Sequence, residues 1–191
     1  MNEKMRVAVK DYGDDWMGIK EEALTTIKKN KGKYPDPNWK KGMLLAEHSP
    51  VRVGMLRVKV FNIPSWVATH LVRHHVGVEK FVSTQRSDRT GVDRNALPQG
   101  ALVDISFHMN FQAIINISRK RLCTKASPET REVWQAILEA IKEYEPELYE
   151  VAVRECVYRG FCPELECCGY ANSKQYQEEL KQYRRKEIES K

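Results

Sequence analysis

The sequence predicts one domain of the α+β class. Segments that alternate apolar and polar residues like strands are followed by segments with apolar residues at helical spacing, and the C-terminal half is mostly helical. A chain of 191 residues can bury one sizeable core and is too short to make two domains the better hypothesis. We place this domain at residues 1–170 and expect a polar, charged and frayed tail at 171–191.

The first third of the chain predicts a strand, a helix, a connection and a second strand. Residues 5–10 alternate like a short strand, and residues 16–30 carry apolar side chains at helical spacing. Residues 31–39 contain two prolines and a glycine, which predicts an irregular connection. Residues 56–60 alternate apolar and basic side chains, which is typical of a half-buried strand.

The middle of the chain repeats the order of strand and helix. Pro64 suits a first helical turn, and the helix that follows is expected to carry residues 73–75 at its end. After a turn-rich segment at 87–91, residues 101–109 are predicted to form a strand. Asn110 is expected to cap a helix that continues to Arg121.

Two more helices are predicted further along the chain. Ser127 followed by Pro128 indicates a helix start, with apolar residues on one face of the segment that follows. The pair Glu145-Pro146 predicts a further helix that reaches about Tyr158.

Composition favours an ordinary globular protein. Hydrophobic residues make up 41% of the chain and charged residues 30%, values that indicate neither disorder nor a fibrous repeat. No run of 18 apolar residues and no stretch of signal-peptide type is present, so we expect a cytoplasmic protein that does not enter a membrane.

The five cysteines predict reduced thiols. Their odd number argues against a fully paired secreted framework. Cys156, Cys162, Cys167 and Cys168 cluster, but without the paired two-residue gaps of a structural zinc site. His70 and the histidine four residues later have the spacing of a zinc pair without a third ligand, so no metal is expected, although a zinc-binding module stays an alternative.

A net charge of +6 and a pI near 9.0 suit anionic ligands. Part of this excess belongs to the basic tail. A nucleic-acid-binding module is a second alternative, supported by the closely spaced Arg86, Arg89 and Arg94. Aromatic residues are not interleaved with these basic residues as single-strand binders require, and no base-reading motif is present, so a nucleic-acid partner is not expected.

The densest group of hydrogen-bond donors begins at Arg73-His74-His75. Seven residues separate it from Ser83, and Arg86 follows shortly after. Arginine and histidine at a helix end, beside a strand that carries a hydroxyl, offer several donors to phosphate oxygens. A nucleotide phosphate would fit such a group.

These residues resemble the flavin-dependent thymidylate synthases, which carry Arg-His-Arg, seven residues and then Ser. The family also places a Ser- or Thr-Pro pair after a His upstream, as at residues 47–50, and an Arg separated by two residues from Leu-Pro downstream, as at residues 94–98. Its series of two Asn and one Arg is matched by Asn110, Asn116 and Arg121.

The resemblance continues into the next helix, through Ala126, Glu129 and Arg131, and so covers about residues 47–131. It implies an antiparallel sheet flanked by helices and a homotetramer with shared active sites. It also implies FAD as cofactor, NADPH as its reductant, and transfer of one carbon from methylenetetrahydrofolate to C5 of deoxyuridine monophosphate (dUMP), completed by a hydride from reduced FAD.

The resemblance also implies a set of site residues. The residues expected to contact FAD are Ser49, Arg73, His74, His75, Asn110 and Asn116. The residues expected to contact dUMP are Ser83, Arg86, Arg94 and Arg121. Arg121 is the predicted catalytic residue because its guanidinium can polarise a pyrimidine carbonyl.

Three departures from the family pattern lie near the expected dUMP side. His75 replaces the second Arg of Arg-His-Arg, and Lys80-Phe81 and Gln85-Arg86 replace Asn-Glu and Arg-Tyr around Ser83. The segment from Ser83 to Arg94 is also shorter than in the family. A relative that modifies another pyrimidine nucleotide, or transfers a different one-carbon group, is therefore a further alternative.

Overall fold

The protein forms a four-stranded antiparallel sheet with helices packed against it, in a computed structural model that describes residues 4–12, 16–29 and 32–185. The predicted α+β class with an antiparallel sheet is confirmed. The strands are β1 (Arg6–Tyr12), β2 (Met55–Pro64), β3 (Val78–Val82) and β4 (Leu102–Asn110), in the spatial order β1-β2-β4-β3. Within the described ranges, no helix is long and apolar enough to cross a bilayer.

Nine α-helices lie within the described residues. They are α1 (Trp16–Thr25), α2 (Pro37–Leu45), α3 (Ser65–Leu71), α4 (Ser87–Thr90), α5 (Phe111–Arg121), α6 (Pro128–Lys142), α7 (Pro146–Val151), α8 (Glu155–Arg159) and α9 (Lys174–Arg184). Short 3₁₀ turns at Ser49–Arg52, Arg94–Ala96 and Tyr170–Asn172 connect some of them.

The centre of the sheet is the pairing of β2 with β4. Alternate residues of both strands are buried, as expected for strands with one face against the core. Val58 lies opposite Phe107, and Val60 lies opposite Ile105, with all four side chains at most 1% exposed. This apolar face supports α6 and also α5, which carries Asn116 and Arg121 and is capped by Asn110.

Helices α5 and α6 begin as predicted. Asn110 caps α5 by accepting a hydrogen bond from the backbone N–H of Ala113 at 2.8 Å, and Ser127 caps α6. The two helices are tied inside the core, where the indole N–H of Trp134 donates to Ser118 Oγ at 2.9 Å. A buried polar pair of this kind fixes how the helices pack, because an unpaired indole N–H or hydroxyl would be costly there.

Two predictions near the N-terminus are corrected. The segment 31–39 was expected to be irregular, but α2 begins within it at Pro37, with Asp36 accepting a hydrogen bond from the backbone N–H of Trp39. An Asp followed by Pro is typical of the cap and first residue of a helix. The prediction treated the prolines only as helix breakers and did not consider this pattern. The first helix ends at Thr25 and does not continue towards Asn30, which lies outside the described residues.

The tail prediction is wrong for most of its described part. Residues 174–184 form α9, capped by Ser173, and Tyr176 and Leu180 pack against Val157. The expected frayed end failed because a few apolar side chains at helical spacing suffice to dock a polar helix on an existing surface. The helix predicted from Glu145 to Tyr158 is also interrupted, since residues 152–154 separate α7 from α8.

Candidate functional site

The most strongly basic part of the predicted site lies where α3 ends and α5 ends. Arg73, His74 and His75 come just after α3 and not within it as predicted, because the helix stops at Leu71. Arg121, the last residue of α5, donates from Nε to His74 Nε2 at 2.8 Å and from Nη2 to the carbonyl of His70 at 2.7 Å. The structure thus joins two residues that sequence similarity assigned to different ligands.

His74 is held in its neutral form. A guanidinium only donates hydrogen bonds, so the ring nitrogen that faces Arg121 must carry a lone pair, and the ring proton sits on Nδ1. Burial, aided by the charges of Arg121, His75 and Lys80, lowers the pKa of His74 to about 4. Burial and the neighbouring Arg73 also lower the pKa of Arg121. His74 is therefore neutral at physiological pH, with its acceptor nitrogen bound by Arg121 and its Nδ1–H left as a donor.

Lys80 on β3 adds a second cation to this group. Its Nζ donates to the carbonyl of His74 at 2.7 Å and lies 3.1 Å from His75 Nδ1. Among the residues that the structure describes, the ion pairs found include none to Lys80, Arg73 or Arg121. A group of cations without a carboxylate partner is suited to an anionic or carbonyl-bearing ligand.

Polar contacts with the start of α6 hold the end of α3 in place. His70 Nδ1 lies 3.0 Å from Thr130 Oγ1, which is fully buried and accepts a hydrogen bond from Ser127 Oγ at 2.8 Å. These polar contacts hold the His70 carbonyl that receives Arg121. Sequence analysis considered His70 only as half of a zinc pair, and nothing in the local pattern indicated its bond to a residue 60 positions away.

Asn110 occupies a crowded turn at the start of α5. Its side chain caps the helix, and its backbone N–H donates to the carbonyl of Gly77 at 3.0 Å. Gly77 has φ +71°, and a Cβ there would lie 2.5 Å from Asn110 Nδ2. Glycine is required at this position both by its left-handed backbone and by the approach of Asn110. The predicted contact of Asn110 with FAD stays a prediction.

A second polar group surrounds Asn116 on the other side of α5. The Asn116 Oδ1 accepts hydrogen bonds from Gln112 Nε2 at 3.2 Å and from Arg119 Nη1 at 3.3 Å. Both donors also reach the carboxylate of Glu47, which precedes the exposed Ser49 by two residues. Sequence analysis missed Gln112 and the pairing of Arg119, although positions 112, 116 and 119 share one helical face.

The remaining predicted dUMP residues lie apart from Arg121. Ser83 exchanges two hydrogen bonds with the backbone of Asp104, at 2.9 and 3.0 Å, just past the end of edge strand β3. Arg86 forms a two-point contact with Asp88, and the Arg94 side chain is exposed. In the described part of this one chain, no recorded hydrogen bond or ion pair joins Ser83, Arg86 or Arg94 to Arg121.

Two cavities are present away from these residues. The larger, of about 1080 Å³, lies among α2, α6, α7 and α9 and contains the ion pairs Lys41–Glu150 and Arg154–Glu179. None of the predicted site residues lines it. Two of the three cations that line this cavity are paired with carboxylates, unlike the cationic group at Arg121.

The smaller cavity is bordered by Cys123, Cys156, Cys162 and Cys168. All five cysteines of the chain are free thiols. Within residues 4–12, 16–29 and 32–185, no three His, Cys, Asp or Glu side chains are arranged to hold a metal ion. The cysteine cluster therefore gives the zinc-binding alternative no structural support.

Comparison with known proteins finds sequence similarity over part of the chain. Residues 90–147 match the family model described as "Thymidylate synthase complementing protein". The chain is 35% identical over 92 residues to a flavin-dependent thymidylate synthase of Nitratidesulfovibrio vulgaris, and 34% identical over 79 residues to one of Clostridium tetani. These matches cover 44% and 41% of this chain, and they span only 38% and 31% of the two relatives' lengths.

Solved structures extend the comparison to most of the chain. Thymidylate synthase X of Helicobacter pylori, solved with FAD and dUMP, has a TM-score of 0.61 at 11% identity, covering 78% of this chain and 99% of that one. A UMP/dUMP methylase of Streptomyces cacaoi, bound to 5-Br dUMP, has a TM-score of 0.59 at 12% identity, covering 83% and 96%. The predicted resemblance to flavin-dependent thymidylate synthases is confirmed, and this chain has their fold.

Proposed function

We propose that this protein is a flavin-dependent thymidylate synthase that binds FAD and converts dUMP to thymidylate, with methylenetetrahydrofolate as the carbon donor. The observation that carries the proposal is the 2.8 Å hydrogen bond from Arg121 to His74. It joins the residue expected to bind the pyrimidine to a residue expected to bind the flavin. Transfer of a hydride requires these two rings to be in contact, so their binding residues must be neighbours.

The donor set fits a flavin and a nucleotide. Arg73, Lys80 and Arg121 supply positive charge with no carboxylate paired to them in the described residues, and both ligands carry phosphates and ring carbonyls. Reduced FAD would supply the hydride, and NADPH is the proposed source of its electrons. The protein's own part is to orient the rings and to stabilise charge that develops on the pyrimidine.

Arg121 is the proposed catalytic residue. A guanidinium has five N–H donors, and the bonds to His74 and to the His70 carbonyl use two of them. The unused donors lie on both terminal nitrogens, in a fork whose direction those two bonds fix. Such a fork can bind a pyrimidine carbonyl and stabilise negative charge on its oxygen.

The separate position of Ser83, Arg86 and Arg94 supports a shared site. We propose that these residues bind the dUMP phosphate from one subunit while Arg121 and His74 act from another, within a homotetramer. Arg86 would exchange its two-point contact with Asp88 for phosphate oxygens. The proposed cellular location is the cytoplasm, where folate and NADPH are present.

A second candidate is a relative that methylates a different pyrimidine nucleotide. Two observations favour it: the likeness to a UMP/dUMP methylase and the altered residues on either side of Ser83. Discrimination between a ribose and a deoxyribose depends on contacts with one hydroxyl. Product formed from UMP and not from dUMP would select this candidate.

The nucleic-acid alternative loses part of its basis in the structure. Arg86 and Arg89 both lie beside Asp88, which offsets the charge of the segment that suggested it. Salt-sensitive retention on DNA by a protein that binds no flavin would restore this alternative.

The test is the visible spectrum of the purified protein with FAD, followed by anaerobic titration of the reduced form with dUMP and methylenetetrahydrofolate. We expect bound flavin that is reoxidised as thymidylate forms. Bound flavin without thymidylate would favour the second candidate. No flavin binding would contradict both enzymatic functions.

A further inference from the structure

The two side chains that donate to the Asn116 oxygen are both also bound to the carboxylate of Glu47. Glu47 accepts a hydrogen bond from Gln112 Nε2 at 2.5 Å through one carboxylate oxygen and from Arg119 Nη2 through the other. The same two donor side chains reach Asn116 Oδ1. The Glu47 carboxylate therefore accepts hydrogen bonds from both side chains that donate to the Asn116 oxygen.

The chemistry of these groups fixes which atom of each amide faces which neighbour. A guanidinium has no acceptor, so the Asn116 atom beside Arg119 must be the oxygen. An ionised carboxylate only accepts, so the Gln112 atom beside Glu47 must be the nitrogen. Both amide orientations follow from Glu47 and Arg119 without further assumption.

The Asn116 amide can consequently offer only donors to a ligand. Its oxygen already receives two hydrogen bonds, which fill its lone pairs, while its Nδ2 carries two N–H groups. The residue is exposed, and its neighbours Gln112 and Arg119 contact Glu47, just before the 3₁₀ turn that carries Ser49. A ligand bound there must present an acceptor.

Glu47 is the left-handed residue at which the chain leaves helix α2, where the backbone N–H groups of Glu47 and His48 donate to the carbonyls of Leu44 and Met43. Its φ of +50° is in the left-handed region, which a non-glycine residue adopts with about 1 kcal/mol of strain or more. Its carboxylate is held by Gln112 and Arg119, and Arg119 in turn lies over the Tyr158 ring at 3.4 Å. Strain of this kind persists where the surroundings determine the conformation.

We propose that Glu47 is a positioning residue for the flavin. Through Gln112 and Arg119 it holds the Asn116 amide with its N–H groups outward, towards an acceptor on the flavin such as a ring carbonyl or an unprotonated ring nitrogen. This inference rests on the proposed function, because it takes FAD as the ligand on this face of α5.

The substitution Asn116→Asp tests the polarity of the amide. Aspartate keeps the oxygen that Gln112 and Arg119 bind, so the network and the fold are expected to remain intact. It replaces the outward donors with an acceptor, which opposes an acceptor on the flavin. We expect FAD to bind at least about tenfold more weakly, with an unchanged or higher melting temperature.

The substitution Glu47→Gln tests the control by the carboxylate. A glutamine amide must turn its N–H groups towards either Gln112 or Arg119, so one of these donors loses its acceptor. We expect FAD binding to weaken several-fold, and a red or blue shift of the bound flavin band relative to the native protein. Glu143→Gln, at an exposed position after α6, is the matched control and should change neither.

The two measurements separate failure of the inference from failure of the proposed function. FAD affinity in Asn116→Asp equal to that of the native protein would overturn the positioning role while leaving the enzyme assignment intact. Native protein that binds no FAD would overturn the proposed function and the positioning role together. Weaker binding by both Asn116→Asp and Glu47→Gln, beside native-like Glu143→Gln, would support both, whereas native-like binding by Glu47→Gln would overturn the positioning role.

Discussion

The two sides of helix α5 differ in whether an arginine is paired with a carboxylate. On one side Arg121 contacts a neutral histidine and a backbone carbonyl, and no carboxylate pairs with it in the described residues. On the other side, about 160° around the helix, Arg119 is paired with Glu47 and stacked on Tyr158. The two arginines are two residues apart and have the same chemistry, yet only one is neutralised.

In the proposed function, this difference separates an arginine that binds a ligand from an arginine that supports the structure. The direction of the Arg121 side chain is set by His74 and the His70 carbonyl, neither of which cancels its charge. The charge of Arg119 is used inside the protein to hold Glu47, Gln112 and Asn116. Two arginines at nearby positions of one helix therefore predict different consequences when each is removed.

The largest effect is expected from Arg121→Ala. Loss of a fixed cationic donor at the reacting pyrimidine should lower kcat by about 10²–10³-fold while bound FAD is retained. Steady-state rates and the flavin absorbance of the same preparation measure both. Lys120→Ala is the control, since Lys120 is exposed and pairs with Glu155. Equal losses in the two variants would show that charge on α5, and not the position of Arg121, matters.

Arg119→Ala should act mainly on stability. Its side chain is 11% exposed, and its removal leaves the 21% exposed Glu47 carboxylate without its cation. We expect a loss of about 1–2 kcal/mol, equivalent to a melting temperature lower by roughly 2–8 °C. Differential scanning calorimetry measures it. Arg89→Ala removes an exposed arginine near Asp88 and should change stability by less than about 0.5 kcal/mol. A larger effect there than at Arg119 would reverse the comparison.

The smallest effect concerns the pH dependence of His74. The unfolded chain protonates this residue near pH 6.5 and the folded protein only near pH 4, so protons favour the unfolded state between these values. The stability that His74 contributes is present above pH 6.5 and is lost as the pH falls towards 4. In His74→Gln, whose carbonyl can still accept from Arg121, this part of the pH dependence should disappear.

Melting temperatures between pH 4 and 7 test this prediction. His48→Gln, at an exposed position, is the control and should keep the native pH profile. A His74→Gln profile that coincides with the native one would mean that His74 does not stay neutral in the folded protein.

Several elements followed from local pattern because their causes are local. Asn110 and Ser127 cap α5 and α6 as predicted, since a cap depends on a side chain and the next three residues. Strand β4 was predicted at residues 101–109, close to its observed bounds. Strand β2 was predicted from its alternation at residues 56–60, but it continues to Pro64. Helix α9 was missed because its stability depends on a docking surface elsewhere in the chain.

The sequence by itself determined the fold class, the family resemblance and the order Asn110, Asn116, Arg121 along one helix. Only the tertiary structure decided that Arg121 meets His74, that His70 rests on Thr130, and that Glu47 governs Asn116. Arg121 and His74 are 47 positions apart, and His70 and Thr130 are 60 positions apart. Glu47 acts on Asn116 through Gln112, which is 65 positions away from Glu47. No local periodicity of the sequence can reveal contacts at such separations. Contacts between distant residues arise when packed elements bring them together, and their geometry sets which charges are cancelled and which are left for a ligand.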